Sequence, residues 1–326
     1  MHNNTEIIVA IRCITYNHEP YIRDCLDGFV MQKTNFKFVA IVHDDASTDG
    51  TANIIKEYAE KYPDIIKPIF EIENQYSKKD GSLQRIMNDA IEATGAKYVA
   101  MCEGDDYWID PYKLQKQVDF MEANPDYVLT CHGYDVYDMN DKIFSKDYVT
   151  IQLNESDLHD GINFTNEENL KIWFTKTLTL LIKRSALFNL PSSNIYKYWR
   201  DVHRSYFLLK QGPGYYMPFK GGVYRCHNGG VYGSLTNLEK DITNLKVWNE
   251  LLRNNQEDST LRNFYKIKHD EFRNYLRYKV QTRQGKSVLK YIYKLLLLDY
   301  QYGGIAECIE SSKKLLLTIY YLLCKK

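Results

Sequence analysis

Between Glu6 and Tyr134 the chain alternates short runs of β-branched and aromatic residues with helix-patterned stretches, a rhythm that restricts it to an α/β fold on a mostly parallel sheet. Ile7–Ile14, Phe36–His43, Ile65–Ile72 and Tyr98–Cys102 are dense in Ile, Val, Phe and Tyr and short enough to be buried strands. Between them, Ile54, Ile55, Tyr58 and Ala59 recur at helical spacing within Gly50–Lys61. Asp110-Pro111 supplies a capping residue and a proline ahead of a helix from Tyr112 to Ala123. Ligands of open α/β sheets bind outside the carboxyl ends of the strands, so the residues that follow each strand carry the functional argument.

Beyond Asp135 the signal changes. The Asn- and Asp-rich stretch to Leu170 reads as loop, Thr175–Ile182 as a strand, Trp199–Leu209 as a helix, and Gly212–Gly233 as a flexible loop suited to folding over a ligand. From Asn237 onward the pattern is helical. At 326 residues the chain divides into a domain over 1–235, with a ligand-binding half at 1–110 and an acceptor half at 111–235, and a helical region at 236–326.

Formal charge is zero overall, yet residues 261–326 hold 14 Lys and Arg against 5 Asp and Glu. This basic tail suits an anionic surface such as a membrane; a solvated helical face explains it equally well. Its last apolar run, Leu315–Cys324, is short of the roughly 20 residues of a membrane span and suits an interfacial helix or packing against the body. The seven cysteines are scattered without a C-x-x-C pair, which favours free thiols in a reducing cytoplasm over a zinc site or disulfide framework. Met1 to Glu6 lacks the apolar stretch of a signal peptide. A cytoplasmic protein, peripheral on the inner face of the plasma membrane if the tail binds lipid, is the expectation.

Three strand ends carry chemistry. Thr15-Tyr16-Asn17-His18-Glu19 follows the first strand, where Thr and Asn can hydrogen-bond a base or ribose and Tyr16 can stack; a capped turn accounts for the same residues. Asp44-Asp45-Ala46-Ser47-Thr48-Asp49-Gly50-Thr51 follows the second. Adjacent strand residues point to opposite faces, so one carboxylate can support the loop while the other accepts hydrogen bonds from a ligand such as uracil. Glu103-Gly104-Asp105-Asp106-Tyr107-Trp108 follows the fourth. Three carboxylates within four residues repel one another unless a cation sits among them, and oxygen ligands select a hard divalent ion; a surface acidic turn is the alternative.

Taken in order, these segments resemble the family-2 inverting glycosyltransferases of GT-A fold, strongly over Glu6 to Tyr134 and more loosely over Thr175 to Gly230. The resemblance implies a nucleotide pocket lined by Thr15, Tyr16, Asn17 and Glu19, with Asp45 on the base and Asp44 beside it. It implies that Asp105 and Asp106 contact ribose and a Mn2+ or Mg2+ ion, with Glu103 where relatives often carry Asp. Met87-Asn88 stands where many members have Arg-Asn, leaving Arg85 for a phosphate or base contact. Asp201, at the start of a helix in the second half, matches the general base, with a structural salt bridge as the competing role. Arg225 and His227, in Val223–Gly230, match a diphosphate-binding arginine and a histidine that completes the metal shell.

The function implied is transfer of a sugar from a nucleotide-diphosphate donor, UDP by family habit, to the hydroxyl of a saccharide or lipid-linked saccharide in cell-surface polysaccharide or glycolipid synthesis. A catalytically silent sugar- or partner-binding module on the same scaffold is the alternative. A dehydrogenase is excluded because the first turn lacks G-x-G-x-x-G, and Gly285-Lys286-Ser287 is no phosphate loop because Val280 stands where its first glycine belongs. Nucleic acid is not an expected partner.

Overall fold

The computed structural model describes residues 6–153, 158–227, 229–230 and 235–281, with a few isolated positions beyond. The strands β1 (Ile7–Thr15), β2 (Lys37–Asp44), β3 (Ile66–Phe70) and β4 (Tyr98–Met101) form one parallel array in the order β3-β2-β1-β4. The helices α1 (Ile22–Val30), α2 (Thr51–Lys61) and α4 (Ser82–Ala93) connect them, with the short α3 (Gln75–Lys78) before α4. Two apolar clusters lie on the two faces. Ile8, Ile11 and Cys13 belong to the one that holds Phe29 and Ile55, and Ala10 to the one that holds Met87 and Ile91. Burial on both sides explains the near-continuous apolar runs.

The sheet then changes character. β9 (Leu181–Lys183) runs antiparallel to both β4 and β6 (Leu129–Asp138), and the order continues β9-β6-β10-β5, with β10 at Gly214–Cys226 and β5 at Tyr107–Trp108. α5 (Lys113–Ala123) packs on this half. It begins one residue later than the sequence suggests, because Pro111 and Tyr112 belong to the turn that Asp110 closes by accepting from the Tyr112 amide at 2.8 Å.

Three segments differ from the sequence reading. Residues 135–170 are not a loop: β6 continues to Asp138, and β7 (Ile143–Lys146), α6 (Tyr148–Gln152), β8 (Ile162–Phe164) and α7 (Asn166–Lys171) follow. Its polar residues are caps, since Asp147 accepts from the Thr150 amide and Thr165 from that of Glu167. Thr175–Ile182 enters a strand only at Leu181, the start of β9, after a 3-10 turn at Thr177–Thr179. Gly212–Gly233 contains the thirteen-residue β10, which pairs in parallel with β6. Its glycines permit close packing: a Cβ on Gly221 would lie 2.5 Å from the His132 ring, and one on Gly222 2.6 Å from Leu178.

The remaining helices are α8 (Arg184–Phe188), α9 (Asp201–Leu209), α10 (Asn237–Asn254) and α11 (Ser259–Gln281). The chain forms two compact units, Met1–Ile195 with Trp199–Ser234, and Tyr196–Tyr198 with Leu235–Lys326. Among the described residues no helix is long and apolar enough to cross a membrane. Leu315–Cys324 lies outside them. Cys13, Cys25, Cys102 and Cys131 are buried free thiols.

Candidate active site

The β1 and β2 loops are laced to one another. Thr15, fully buried, donates to Asp44 at 3.3 Å, and Asp44 also accepts from the Ser47 hydroxyl at 2.5 Å. Asn17, in a left-handed conformation at φ 54°, accepts from the Thr48 amide at 2.8 Å. Glu19 accepts from the Gly50 amide at 2.8 Å, and a Cβ on Gly50 would collide with that carboxylate. Asp45 accepts from the amides of Gln75 and Tyr76 at 2.6 and 3.0 Å, capping α3. These polar side chains therefore hold the loops in place, while Tyr16 is 46% exposed. Arg85 donates to the Asp80 carbonyl at 2.9 Å.

At the end of β4 the three carboxylates do converge: ligand oxygens of Glu103, Asp105 and Asp106 lie within 4.8 Å of one another. The turn is tight because Gly104 allows it. A Cβ there would sit 2.8 Å from Thr15 and 2.9 Å from His18. Asp105 Oδ2 lies 3.1 Å from His227 Nε2 and 3.9 Å from His18 Nε2; although burial opposes ionisation, the His227 hydrogen bond and the two rings hold Asp105 below the usual carboxylate range. Asp106 is buried, and burial together with the Asp105 charge pushes it well up. Glu103 reaches solvent at its tip, yet surrounding protein and Asp105 raise it as well.

β10 closes the far side. The Arg225 amide donates to Asp106 Oδ1 at 2.9 Å, and its guanidinium donates to the Asp105 carbonyl at 2.9 Å and to Asp24. The same guanidinium lies 4.2 Å from the centre of the Tyr107 ring. Trp108 belongs to the core: it is buried, donates to the Leu178 carbonyl at 2.9 Å, and packs so tightly on α1 that a Cβ at Gly28 would meet its amide at 2.9 Å.

Asp201 opens α9, close enough to Glu103 and Arg204 for its charge to act on both. The structure thus gathers Asp105, Asp106, Arg225 and His227 in one cluster with Glu103, sets Asp201 near Glu103, and places Arg85 in the wall of a cavity that Arg12 and Arg204 also line. Sequence reasoning missed His18, Asp24, Arg12 and Arg204. Arg12 had a legible signal, a single charge inside an apolar strand. Arg204 falls three residues after Asp201, on the same helical face. Asp24 had none, since its partner Arg225 lies two hundred residues away.

The cluster is a set of hard oxygen donors with two imidazoles beside it, and the repulsion that raises Asp106 and Glu103 is what a divalent cation among them would relieve. The sequence model of glycosyl transferase family 2 matches residues 11–188, more than half of the chain, including the end of β1, the β2 loop and this cluster. The chain belongs to glycosyl transferase family 2.

As a family member it is 43% identical over 124 residues to an uncharacterized protein of Mycobacterium tuberculosis, a match covering 38% of this chain and 34% of that one. The chain thus spans about a third of the length of the curated relatives it matches first. TuaG of Bacillus subtilis, a glycosyltransferase named for teichuronic acid biosynthesis, is 28% identical over 210 residues, 64% of this chain and 75% of that protein. Among solved structures, S. aureus TarS 1–349 in complex with UDP-GlcNAc superposes with a TM-score of 0.62 at 16% identity, covering 91% of this chain and 82% of that one, a likeness of fold.

Proposed function

We propose that the protein is an inverting glycosyltransferase that moves a sugar from a nucleotide-diphosphate donor, UDP foremost, to a hydroxyl of a saccharide or lipid-linked saccharide in cell-surface polysaccharide or glycolipid synthesis. One observation carries the reading: three carboxylates at the end of a parallel strand converge within 4.8 Å, near a separate carboxylate at a helix start. The relative named for teichuronic acid biosynthesis supports the polysaccharide setting.

Asp105, Asp106 and His227 would hold Mn2+ or Mg2+, with Glu103 adjacent. An ion held there would neutralise charge on the donor's diphosphate and so favour departure of the nucleoside diphosphate. Arg225, fixed against Asp24 and Tyr107, contributes a positive charge on the same side. Tyr16, the exposed ring of the β1 loop, stacks on the base, while Thr15, Asn17, Glu19, Asp44 and Asp45 shape the pocket floor. Asp201 removes the proton from the acceptor hydroxyl as its oxygen attacks the anomeric carbon opposite the leaving group. One attack on that face inverts the configuration, so one base suffices. Arg85, which donates to the Asp80 carbonyl, is left for a phosphate or base contact.

The test is release of UDP from a panel of UDP-sugars with Mn2+ and saccharide acceptors. Metal-dependent release that rises with acceptor supports the reading. Nucleotide binding without release from any donor would reduce the protein to a binding module.

A further inference from the structure

Beside the acidic cluster, on the face of the sheet that carries α4, lies a cavity of about 290 Å³ within the first unit, walled by Arg12, Gln84, Arg85, Asn88, Trp199 and Arg204 among others. Arg85 is exposed, but the guanidiniums of Arg12 and Arg204 are shielded from water and costly unless something negative pairs with them. The protein supplies little. Arg12 makes a single hydrogen bond, 3.4 Å to Gln84; Arg204 donates to the Thr177 hydroxyl at 3.0 Å; Arg85 donates to the Asp80 carbonyl. Among the described residues none of the three forms an ion pair, and the Nε atoms of Arg12 and Arg204 are buried without a hydrogen-bond partner. Glu103 and Asp201 act on Arg204 through space, Glu103 acts on Arg12, and Asp80 faces the exposed Arg85, but no carboxylate pairs directly with the Arg12 or Arg204 guanidinium. Burial and Arg204 together push Arg12 down to about 10, a charge held without adequate compensation.

The remaining walls narrow the occupant. The amides of Gln84 and Asn88 offer donors and acceptors suited to hydroxyl groups, and Trp199 offers an indole face for the C–H side of a pyranose. The volume is at the small end of the usual range for ligand pockets. Asp201 adjoins the cavity through Arg204, so a sugar seated there would stand near the reacting groups. The geometry points to a subsite for a sugar that bears a carboxylate, a hexuronate whose acid group spans Arg12 and Arg204. This rests on the transferase reading above and goes beyond it by naming the substrate class. The uronate can sit on the donor or at the end of the acceptor; the chemistry recognised is the same.

Calorimetry on the full chain with Mn2+ separates the cases. Binding is measured for UDP, UDP-glucose, UDP-glucuronate and UDP-galacturonate, and separately for methyl glucoside and methyl glucuronide with and without UDP. If the uronate is the donor sugar, a UDP-uronate binds about tenfold or more tightly than UDP-glucose, the worth of a charge-assisted pair. In Arg12→Gln and Arg204→Gln that gap closes while UDP itself binds as before. If the uronate belongs to the acceptor, the same gap appears between the two methyl glycosides instead. Absence of a gap in both series, or a gap that survives in both variants, overturns the subsite. The wild-type comparison alone can refute it should a variant fail to fold. Binding of methyl glucuronide without any binding of UDP would sustain the cavity assignment while contradicting the donor reading.

Discussion

Asp105 and Asp106 are neighbours with opposite surroundings, and their substitutions should separate accordingly. Asp105 faces His227 and His18 and is held ionised, so Asp105→Asn should abolish metal-dependent turnover and, by removing a carboxylate that the fold favours, modestly lower the melting temperature. Asp106 is buried and accepts from the Arg225 amide, so Asp106→Ala should also cost about 1–3 kcal/mol of stability, read in a denaturant titration. Asp201→Asn should lower kcat by roughly 10²–10⁴-fold while leaving donor affinity intact, since it removes a proton acceptor and no donor contact; equal kcat would return Asp201 to a structural role. At this scale the acidic cluster was legible because three like charges in four residues demand an explanation locally. The tie of Arg225 to Asp24 was not, because it depends on β10 returning beside β5. The loop residues Asn17, Glu19 and Asp45 were legible as a group, but the cross-links that occupy them show only in three dimensions.

Among elements, the β4 turn is the most sensitive. Gly104→Ala must push Thr15 or His18 aside, and we expect it to cost about 1–3 kcal/mol and to weaken nucleotide binding, measured by thermal unfolding and UDP titration. α5 offers a pH signature. Lys113 is fully buried over the Trp108 ring with Gln117 as its hydrogen-bond partner, and burial lowers it to about 7 from an ordinary 10.5. Between those values the unfolded chain binds the proton and the folded chain does not. Stability should therefore rise relative to Lys113→Met as pH increases from about 7 toward 10.5, in urea titrations across that window. The parallel strands were readable because burial on both faces writes continuous apolar runs. β10 was not, because glycines that make room for His132 and Leu178 look like loop composition. Residues 135–170 misled for a related reason: Asp147 and Thr165 are polar because they cap short helices.

For the whole molecule, the proposed donor side draws only on the first unit. In the second, Glu250 of α10 accepts from the amides of Lys197 and Tyr198 at 2.7 and 2.8 Å, tying that short segment to the second unit. A chain ending at Ser234 should keep its UDP affinity, because every proposed donor contact lies in the first unit. Loss of UDP binding in the truncated chain would contradict that. The helices of residues 237–281 were legible from their pattern, while the sugar and the acceptor have no sequence code because loops and cavity walls from distant segments specify them. The central claim is that the cluster of Glu103, Asp105 and Asp106 holds a divalent cation against a diphosphate. Calorimetric titration of UDP with and without Mn2+ tests it most directly. The account predicts that Mn2+ tightens UDP binding by about tenfold or more in the wild type and not in Asp105→Asn; UDP binding indifferent to Mn2+ in the wild type would contradict it.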